Sequence, residues 1–126
     1  MKYYKIKSYA KLNLALNITG KTSSLHKIES IITFINLHDI ILIKRIKSKK
    51  HNISFNGKFS KNINSQNTVS KLLEILEKKN FLKNKKFKIK INKKIPNKSG
   101  LGGGSMNAAN ILCFLLKKKI IKISKT

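Results

Sequence analysis

The sequence predicts an α+β domain in which most strands come early and the helices come late. Two observations support this prediction. Apolar and polar residues alternate with a period of two along much of the first half of the chain, as in strands that bury one face. Two later segments place apolar residues three or four positions apart, which is helical spacing. The chain has 126 residues, 40% of them apolar, which is enough for one domain with a modest core.

Period-two alternation predicts six strands, at residues 2–7, 10–18, 28–35, 40–47, 51–56 and 85–95. Asn56-Gly57 is expected to form the turn after the fifth strand, and Pro96 is expected to end the sixth. The second strand separates its residues by face. Its apolar face consists of Leu12, Leu14, Leu16 and Ile18. Lys11 and Asn13 are presented together on the other face, which by pattern alone is either a solvated surface or part of a site.

Helical spacing predicts two helices. The first spans 67–79, with Ser65 or Asn67 as its N-cap, and its apolar side is Val69, Leu72, Leu73 and Leu76. The second runs from about Ser105 to 118, and its apolar side is Ala108, Ile111, Leu112, Leu115 and Leu116. Cys113, the only cysteine, lies within this apolar run, so we expect a buried, inert thiol.

The net charge suggests a polyanion partner, but the type and distribution of the basic residues weaken that interpretation. The chain has 29 Lys+Arg against 4 Asp+Glu, a formal charge of +25. Arg45 is the only arginine, whereas specific nucleic-acid contacts favour the planar fork of Arg. The lysines are spread along the chain, and the abundance of Lys, Asn and Ile fits drift towards AT-rich codons. A nucleic-acid partner is therefore disfavoured, although a positive surface would still attract a nucleotide.

Other functional classes leave no signal in the sequence. No apolar run approaches the ~18 residues of a membrane span, and the start lacks the apolar block of a secretory signal. We therefore expect no membrane partner and a cytoplasmic location. His26, His38 and His51 have no second ligand at metal-binding spacing, so no structural metal is predicted. The sequence does not indicate an oligomeric state.

The strongest local signal is a glycine-rich segment between the sixth strand and the second helix. It reads Pro96-Asn97-Lys98-Ser99-Gly100-Leu101-Gly102-Gly103-Gly104-Ser105-Met106-Asn107-Ala108-Ala109. Glycines permit close backbone approach to a ligand, and the following helix presents unpaired N–H groups and the positive end of its dipole. A flexible turn with Ser105 as helix cap is the alternative. Because four glycines within five positions are costly to order, we favour a phosphate-binding segment.

Two common phosphate motifs do not fit this segment. A P-loop would place Lys after Gly104, where the chain has Ser105, and a dinucleotide fingerprint would need a third glycine at position 105. The segment instead resembles motif two of the galactokinase, homoserine kinase, mevalonate kinase and phosphomevalonate kinase (GHMP) superfamily. A second block is similar to the opening of its diphosphocytidyl-methylerythritol kinase branch. The matching positions are Ala10-Lys11-Leu12-Asn13-Leu14, Gly20, Leu25-His26, Leu37-His38-Asp39 and Asn67.

The resemblance covers essentially the whole chain and implies a fold and an activity. The fold would be a GHMP kinase N-terminal domain, similar to a ribosomal protein domain, with a mixed sheet and helices on one side. The activity would be ATP-dependent phosphorylation of the 2-hydroxyl of 4-diphosphocytidyl-2-C-methyl-D-erythritol, in the non-mevalonate isoprenoid precursor pathway. ATP is then the co-substrate, Mg²⁺ is expected with it, and the partner is a small cytidine-diphosphate molecule.

The resemblance also implies site residues. ATP phosphates would contact Pro96, Asn97, Lys98, Ser99, Gly100, Leu101, Gly102, Gly103, Gly104, Ser105 and Met106. Asn67 would lie near the adenine pocket, Lys11 beside the reacting hydroxyl, and Asn13 and His26 against the cytidine substrate. The family's catalytic Asp belongs to a later segment that is absent here, and Asp39 matches a structural position. We therefore expect residues 1–126 to be an incomplete N-terminal domain without its second domain, inactive or nearly so alone.

Three departures from the family pattern weaken the substrate assignment more than the kinase class. Leu25 replaces a tyrosine expected to stack on cytosine, Met106 replaces a serine, and Lys98-Ser99 stand where small residues are usual. The alternatives are another GHMP kinase, of homoserine or mevalonate type, and a basic nucleic-acid-binding module. The last would bind random oligonucleotides with an affinity that falls steeply with salt.

Overall fold

The structure, a computed structural model, describes residues 2–10, 36–61, 63–96 and 103–122. Within these ranges the chain forms four strands and two helices. The strands are β1 Tyr4–Tyr9, β2 His38–Ile46, β3 Asn52–Asn56 and β4 Lys86–Asn92, and the helices are α1 Thr68–Lys78 and α2 Gly103–Lys117. The strands predicted at 10–18 and 28–35 lie outside the described residues. No helix within the described ranges is both long and apolar enough to cross a bilayer.

The four strands form one mixed sheet in the order β1-β2-β4-β3. β2 pairs antiparallel with both β1 and β4, whereas β3 runs parallel to β4. The parallel pair requires a crossover connection, which α1 supplies between β3 and β4. β4 is therefore a central strand, and the segment that follows it starts in the middle of the sheet.

One face of this sheet and both helices form the core. Phe87, Ile89 and Ile91 of β4 are buried, while the lysines between them are only partly covered. The register places Ile41 and Ile43 of β2 opposite Ile91 and Ile89 on that face. The helices contribute Val69, Leu73, Leu76, Ile111 and Leu115. The predicted mixed sheet with helices on one side is confirmed for the described residues.

The two predicted boundaries beside the glycine segment, the end of β4 and the start of α2, differ from the observed ones. β4 ends at Asn92 rather than at 95, because the N–H groups of Lys94 and Ile95 donate to the Asp39 carboxylate, at 2.6 and 2.9 Å, instead of to a neighbouring strand. Helix α2 begins at Gly103, two residues before the predicted start at Ser105. Gly103 and Gly104 therefore belong to the helix itself, which changes how the site is built.

The prediction that Cys113 is buried is wrong, since the side chain is exposed. Helix α2 buries Asn107, Ile111 and Leu115, which are spaced four residues apart on one face. Cys113 is two positions beyond Ile111 and so points about 200° around the helix from that face. The apolar run is therefore longer than the buried stripe.

The predicted turn at Asn56-Gly57 forms and requires its glycine. Gly57 has φ +96°, a conformation that side chains disfavour. A Cβ there would also lie 2.9 Å from both the N and the O of Lys93. The backbone of Lys93 is held on the same side by its N–H, which donates to the Asn56 carbonyl at 2.7 Å. The turn thus packs directly against the residues that leave β4.

His51 joins the start of β3 to β4 and to the end of α1. The N–H of Phe87 donates to His51 Nδ1 at 3.0 Å, so Nε2 carries the proton and donates to Glu77 Oε1 at 2.8 Å. Lys86 also donates to Glu77. Burial lowers the pKa of His51, and the nearby Glu77 carboxylate offsets this only in part. The fold therefore favours neutral His51.

This lowered pKa predicts a pH-dependent loss of stability. Because the folded-state pKa is below the ordinary 6.5, stability from neutral His51 is full above about pH 6.5 and is lost as pH falls through the folded pKa. Urea unfolding from about pH 7.5 down to about pH 5, on both sides of the ordinary histidine pKa, should show a decline that the His51→Gln variant lacks. Equal slopes in the two proteins would contradict the role of His51.

Candidate functional site

The candidate site lies where the central strand β4 ends and helix α2 begins. Gly103, Gly104, Ser105 and Met106 form the first turn of α2. The first N–H groups of a helix have no acceptor within it, and they lie at the positive end of the helix dipole. Gly104 and Ser105 are exposed, whereas Gly103 and Met106 are half-buried. This turn is therefore able to present backbone donors to an anion.

Gly103 allows the helix to approach the end of β4 closely. A Cβ on Gly103 would lie 3.1 Å from Ile95 Cγ2 and 3.4 Å from Lys93 Nζ. Both neighbours are buried, so any side chain there would push α2 away from the sheet. A substitution at Gly103 would consequently disturb packing as well as ligand binding, which makes it a poor probe of binding alone.

The N-terminus of α1 lies beside that of α2. Asn67 is the N-cap of α1, and its Oδ1 accepts a hydrogen bond from the N–H of Ser70 at 2.9 Å. The next residue, Thr68, donates its hydroxyl to the Gly104 carbonyl at 2.7 Å. Two helix N-termini therefore meet at one place, and their dipoles add at the candidate site. The structure also confirms Asn67 as a helix cap.

A buried polar cluster lies directly beneath this turn. Ser8, Asp39, Lys93 and Asn107 are each at most 3% exposed. Lys93 Nζ donates to Asp39 Oδ2 at 2.6 Å and to Asn107 Oδ1 at 2.8 Å. Asn107 Nδ2 donates to Asp39 Oδ2 at 3.1 Å and to Ser8 Oγ at 2.9 Å. The cluster links β1, β2, the end of β4 and α2.

Asp39 is a structural residue, as expected from the sequence. It is fully buried, and both of its carboxylate oxygens accept hydrogen bonds from neighbouring groups. No group of three His, Cys, Asp or Glu side chains in the described part of the chain is placed to hold a metal ion. Mg²⁺ accompanying a triphosphate would thus find no carboxylate cluster among these residues.

The structure brings together several of the residues that the sequence singled out. Asn67, Gly103, Gly104, Ser105 and Met106 lie around the two helix N-termini, and Pro96 follows Ile95 at the other end of the glycine segment. Other predicted positions lie outside the described residues. These are Lys11, Asn13, His26, Asn97, Lys98, Ser99, Gly100, Leu101 and Gly102. Their proposed roles stay predictions.

Sequence reasoning missed the cluster beneath the site. Lys93 belongs to a lysine-rich strand pattern, which predicts a solvated side chain like those of its neighbours. Ser8 carries no local signal. The only sequence signal for Asn107 is its place in the glycine-rich motif. One hint was present: Asp39 is the only aspartate in a chain of charge +25, and it follows directly on an apolar-rich segment. When an aspartate side chain is buried, it needs a specific cationic partner.

Comparison with known proteins supports the resemblance. The family model described as GHMP kinases N terminal domain matches residues 67–125, a range that begins at the cap of α1 and includes α2. The 4-diphosphocytidyl-2-C-methyl-D-erythritol kinase of Pelagibacter ubique is 62% identical over 125 residues, which is 99% of this chain and 44% of that protein. The chain has the fold of a GHMP kinase N-terminal domain.

Further relatives of this chain carry the same name. The 4-diphosphocytidyl-2-C-methyl-D-erythritol kinase of Alkaliphilus metalliredigens is 36% identical over 89% of the chain and 38% of its own length. A crystal structure of 4-(cytidine 5'-diphospho)-2C-methyl-D-erythritol kinase superposes with a TM-score of 0.53 and 26% identity, covering 70% of this chain and 30% of that one. The chain thus spans less than half the length of these relatives.

Proposed function

We propose that this chain forms the ATP-binding part of a kinase that phosphorylates the 2-hydroxyl of 4-diphosphocytidyl-2-C-methyl-D-erythritol. The observation that supports it most is the meeting of the α1 and α2 N-termini at the glycine segment, where Thr68 bonds to Gly104. The names of the relatives supply the substrate. The reaction belongs to isoprenoid precursor synthesis by the non-mevalonate route, and we place it in the cytoplasm.

In this proposal the chain acts by positioning and by neutralising charge. Phosphoryl transfer needs little covalent chemistry from a protein, so donors fixed around the triphosphate contribute most. Residues 96–106 would wrap the ATP phosphates, with Ser105 adding a hydroxyl, and Asn67 would lie near the adenine. Lys11 would stabilise charge at the reacting 2-hydroxyl, while Asn13 and His26 would contact the cytidine. ATP carries the transferred group, and Mg²⁺ enters with it.

The proposed activity belongs to the whole protein, of which these residues supply the N-terminal domain. The relatives are more than twice as long as the region they share with this chain. Asp39 is not suited to act as a base, because it is buried and bonded to Lys93. The 126-residue chain is thus expected to bind ATP without turning it over.

Replacing Ser105 by Ala is the cleanest test of ATP binding, because the side chain is exposed and the helix retains its first turn. Losing one hydrogen bond to a charged phosphate should raise the Kd for ATP about tenfold. Titration calorimetry on the 126-residue chain would measure it. Ser54→Ala, an exposed serine of β3, is the matched control and should leave the Kd unchanged. No ATP binding by the wild-type chain, or equal affinity of both variants, would refute the proposed site.

A further inference from the structure

The two flanks of the glycine segment are tied to one carboxylate. Asp39 Oδ1 accepts the N–H groups of Lys94 and Ile95, at 2.6 and 2.9 Å, on the side where β4 ends. Asp39 Oδ2 accepts from Asn107 Nδ2 at 3.1 Å on the side where α2 begins. A single side chain of β2 therefore bonds to the backbone before the segment and to the helix after it.

Every buried polar side-chain atom of the cluster has a hydrogen-bond partner, which makes the cluster rigid. Asp39 accepts four hydrogen bonds, from two backbone N–H groups, Lys93 and Asn107, and an ionised carboxylate offers about four lone-pair positions. Both hydrogens of the Asn107 amide are used, on Asp39 and on Ser8 Oγ. No buried side-chain nitrogen or oxygen in the described residues lacks a partner. A fully satisfied buried network of this kind holds one geometry.

The same network reaches the first turn of α2 itself. Asn110 Nδ2 donates to the carbonyl of Met106 at 2.9 Å and to Ser8 Oγ at 3.1 Å. Lys93, bonded to both Asp39 and Asn107, lies against the space where a Gly103 side chain would stand. The orientation of the donor-bearing turn is thus set from below by the buried Lys93 and Asn107 and by the partly buried Asn110.

We propose that Asp39, acting through Lys93 and Asn107, is a positioning residue for nucleotide binding, a role that rests on the proposed ATP site. The cluster fixes the backbone at Lys94 and Ile95 and the start of α2 before a ligand arrives. A ligand that must order its own binding backbone loses affinity, whereas preorganised flanks do not impose that cost. Breaking the cluster should therefore weaken ATP binding beyond any general loss of stability.

Two variants test this, because Asp39→Asn leaves a buried Lys93 charge and can fail to fold. Asn107→Ala removes the hydrogen bonds that α2 makes to Lys93, Asp39 and Ser8 through Asn107, and it keeps the Asp39–Lys93 pair. We expect Asn107→Ala to raise the Kd for ATP about tenfold, by titration calorimetry on the full chain. Without nucleotide, hydrogen exchange should accelerate in peptides covering 94–96 and 103–110, and stay unchanged in β2 and the second half of α1.

Core variants distant from the site separate positioning from general destabilisation. Ile43→Val and Leu76→Ala remove buried apolar atoms from the middle of β2 and from α1. They should lower Tm by amounts that bracket that of Asn107→Ala while leaving the Kd for ATP unchanged. If they weaken ATP binding as much as Asn107→Ala at equal loss of Tm, the cluster is merely structural and the inference fails.

The failure of this inference is distinguishable from failure of the proposed function. If the wild-type chain binds no ATP, the proposed function and the positioning role are both rejected. If the wild-type chain binds ATP and Asn107→Ala binds it equally well, only the positioning role is rejected. Weaker binding by Asn107→Ala together with local exchange at both flanks supports both.

Discussion

Replacement of Lys93 by Met is expected to lower the free energy of unfolding by about 3–5 kcal/mol. Lys93 Nζ is bonded to Asp39 at 2.6 Å, and the two side chains are 3% and 0% exposed. Removing the ammonium group leaves a carboxylate buried without a counter-charge, and water has no access to replace it. Since small domains are typically stable by only about 5–15 kcal/mol, many molecules of this variant should be unfolded at 37 °C.

Urea unfolding followed by circular dichroism would measure this loss, and two further variants control it. Lys86→Met makes the same substitution at the partly exposed pair with Glu77, where a loss of about 0–1 kcal/mol is expected. The double variant Asp39→Asn with Lys93→Met removes both charges and should recover part of the stability. A single Lys93→Met variant as stable as Lys86→Met would show that the Asp39 charge is not confined as the structure indicates.

Truncation of Phe87 to Ala is expected to be comparably damaging, with a loss of about 3–5 kcal/mol. Phe87 is 1% exposed on the central strand β4, where its ring packs into the core beneath the helices. Its ring also stacks on His51, with centroids 6.0 Å apart. The cavity would lie in the core, where packed neighbours can collapse into it only in part.

Thermal and urea unfolding of three variants would test this expectation. Phe87→Leu keeps most of the volume and should lose clearly less than Phe87→Ala. Phe114→Ala removes a half-buried ring on α2, which contacts Tyr4 at a centroid distance of 5.2 Å, and should also lose less. If Phe114→Ala proves more damaging than Phe87→Ala, the core is centred nearer α2 than the structure places it.

Sequence patterns correctly predicted those elements whose signal comes from the spacing of neighbouring residues. The alternation of Phe87, Ile89 and Ile91 with lysines predicted β4, and the spacing of Val69, Leu73 and Leu76 predicted α1. Where the outcome depended on distant groups, the prediction failed. The end of β4 was set by Asp39, and the face that Cys113 occupies was set by where the core lies.

The sequence by itself determined the identity of the elements, the glycine segment and the family resemblance, because periodicity and short motifs are properties of neighbouring residues. Only the tertiary structure decided that Asp39, Lys93, Asn107 and Ser8 form one buried cluster beneath that segment. Their contacts join positions 54, 68 and 99 residues apart. No local pattern encodes such pairings. Lys93 resembles the neighbouring lysines in sequence, and it is paired with Asp39 only because folding brings the two side chains together.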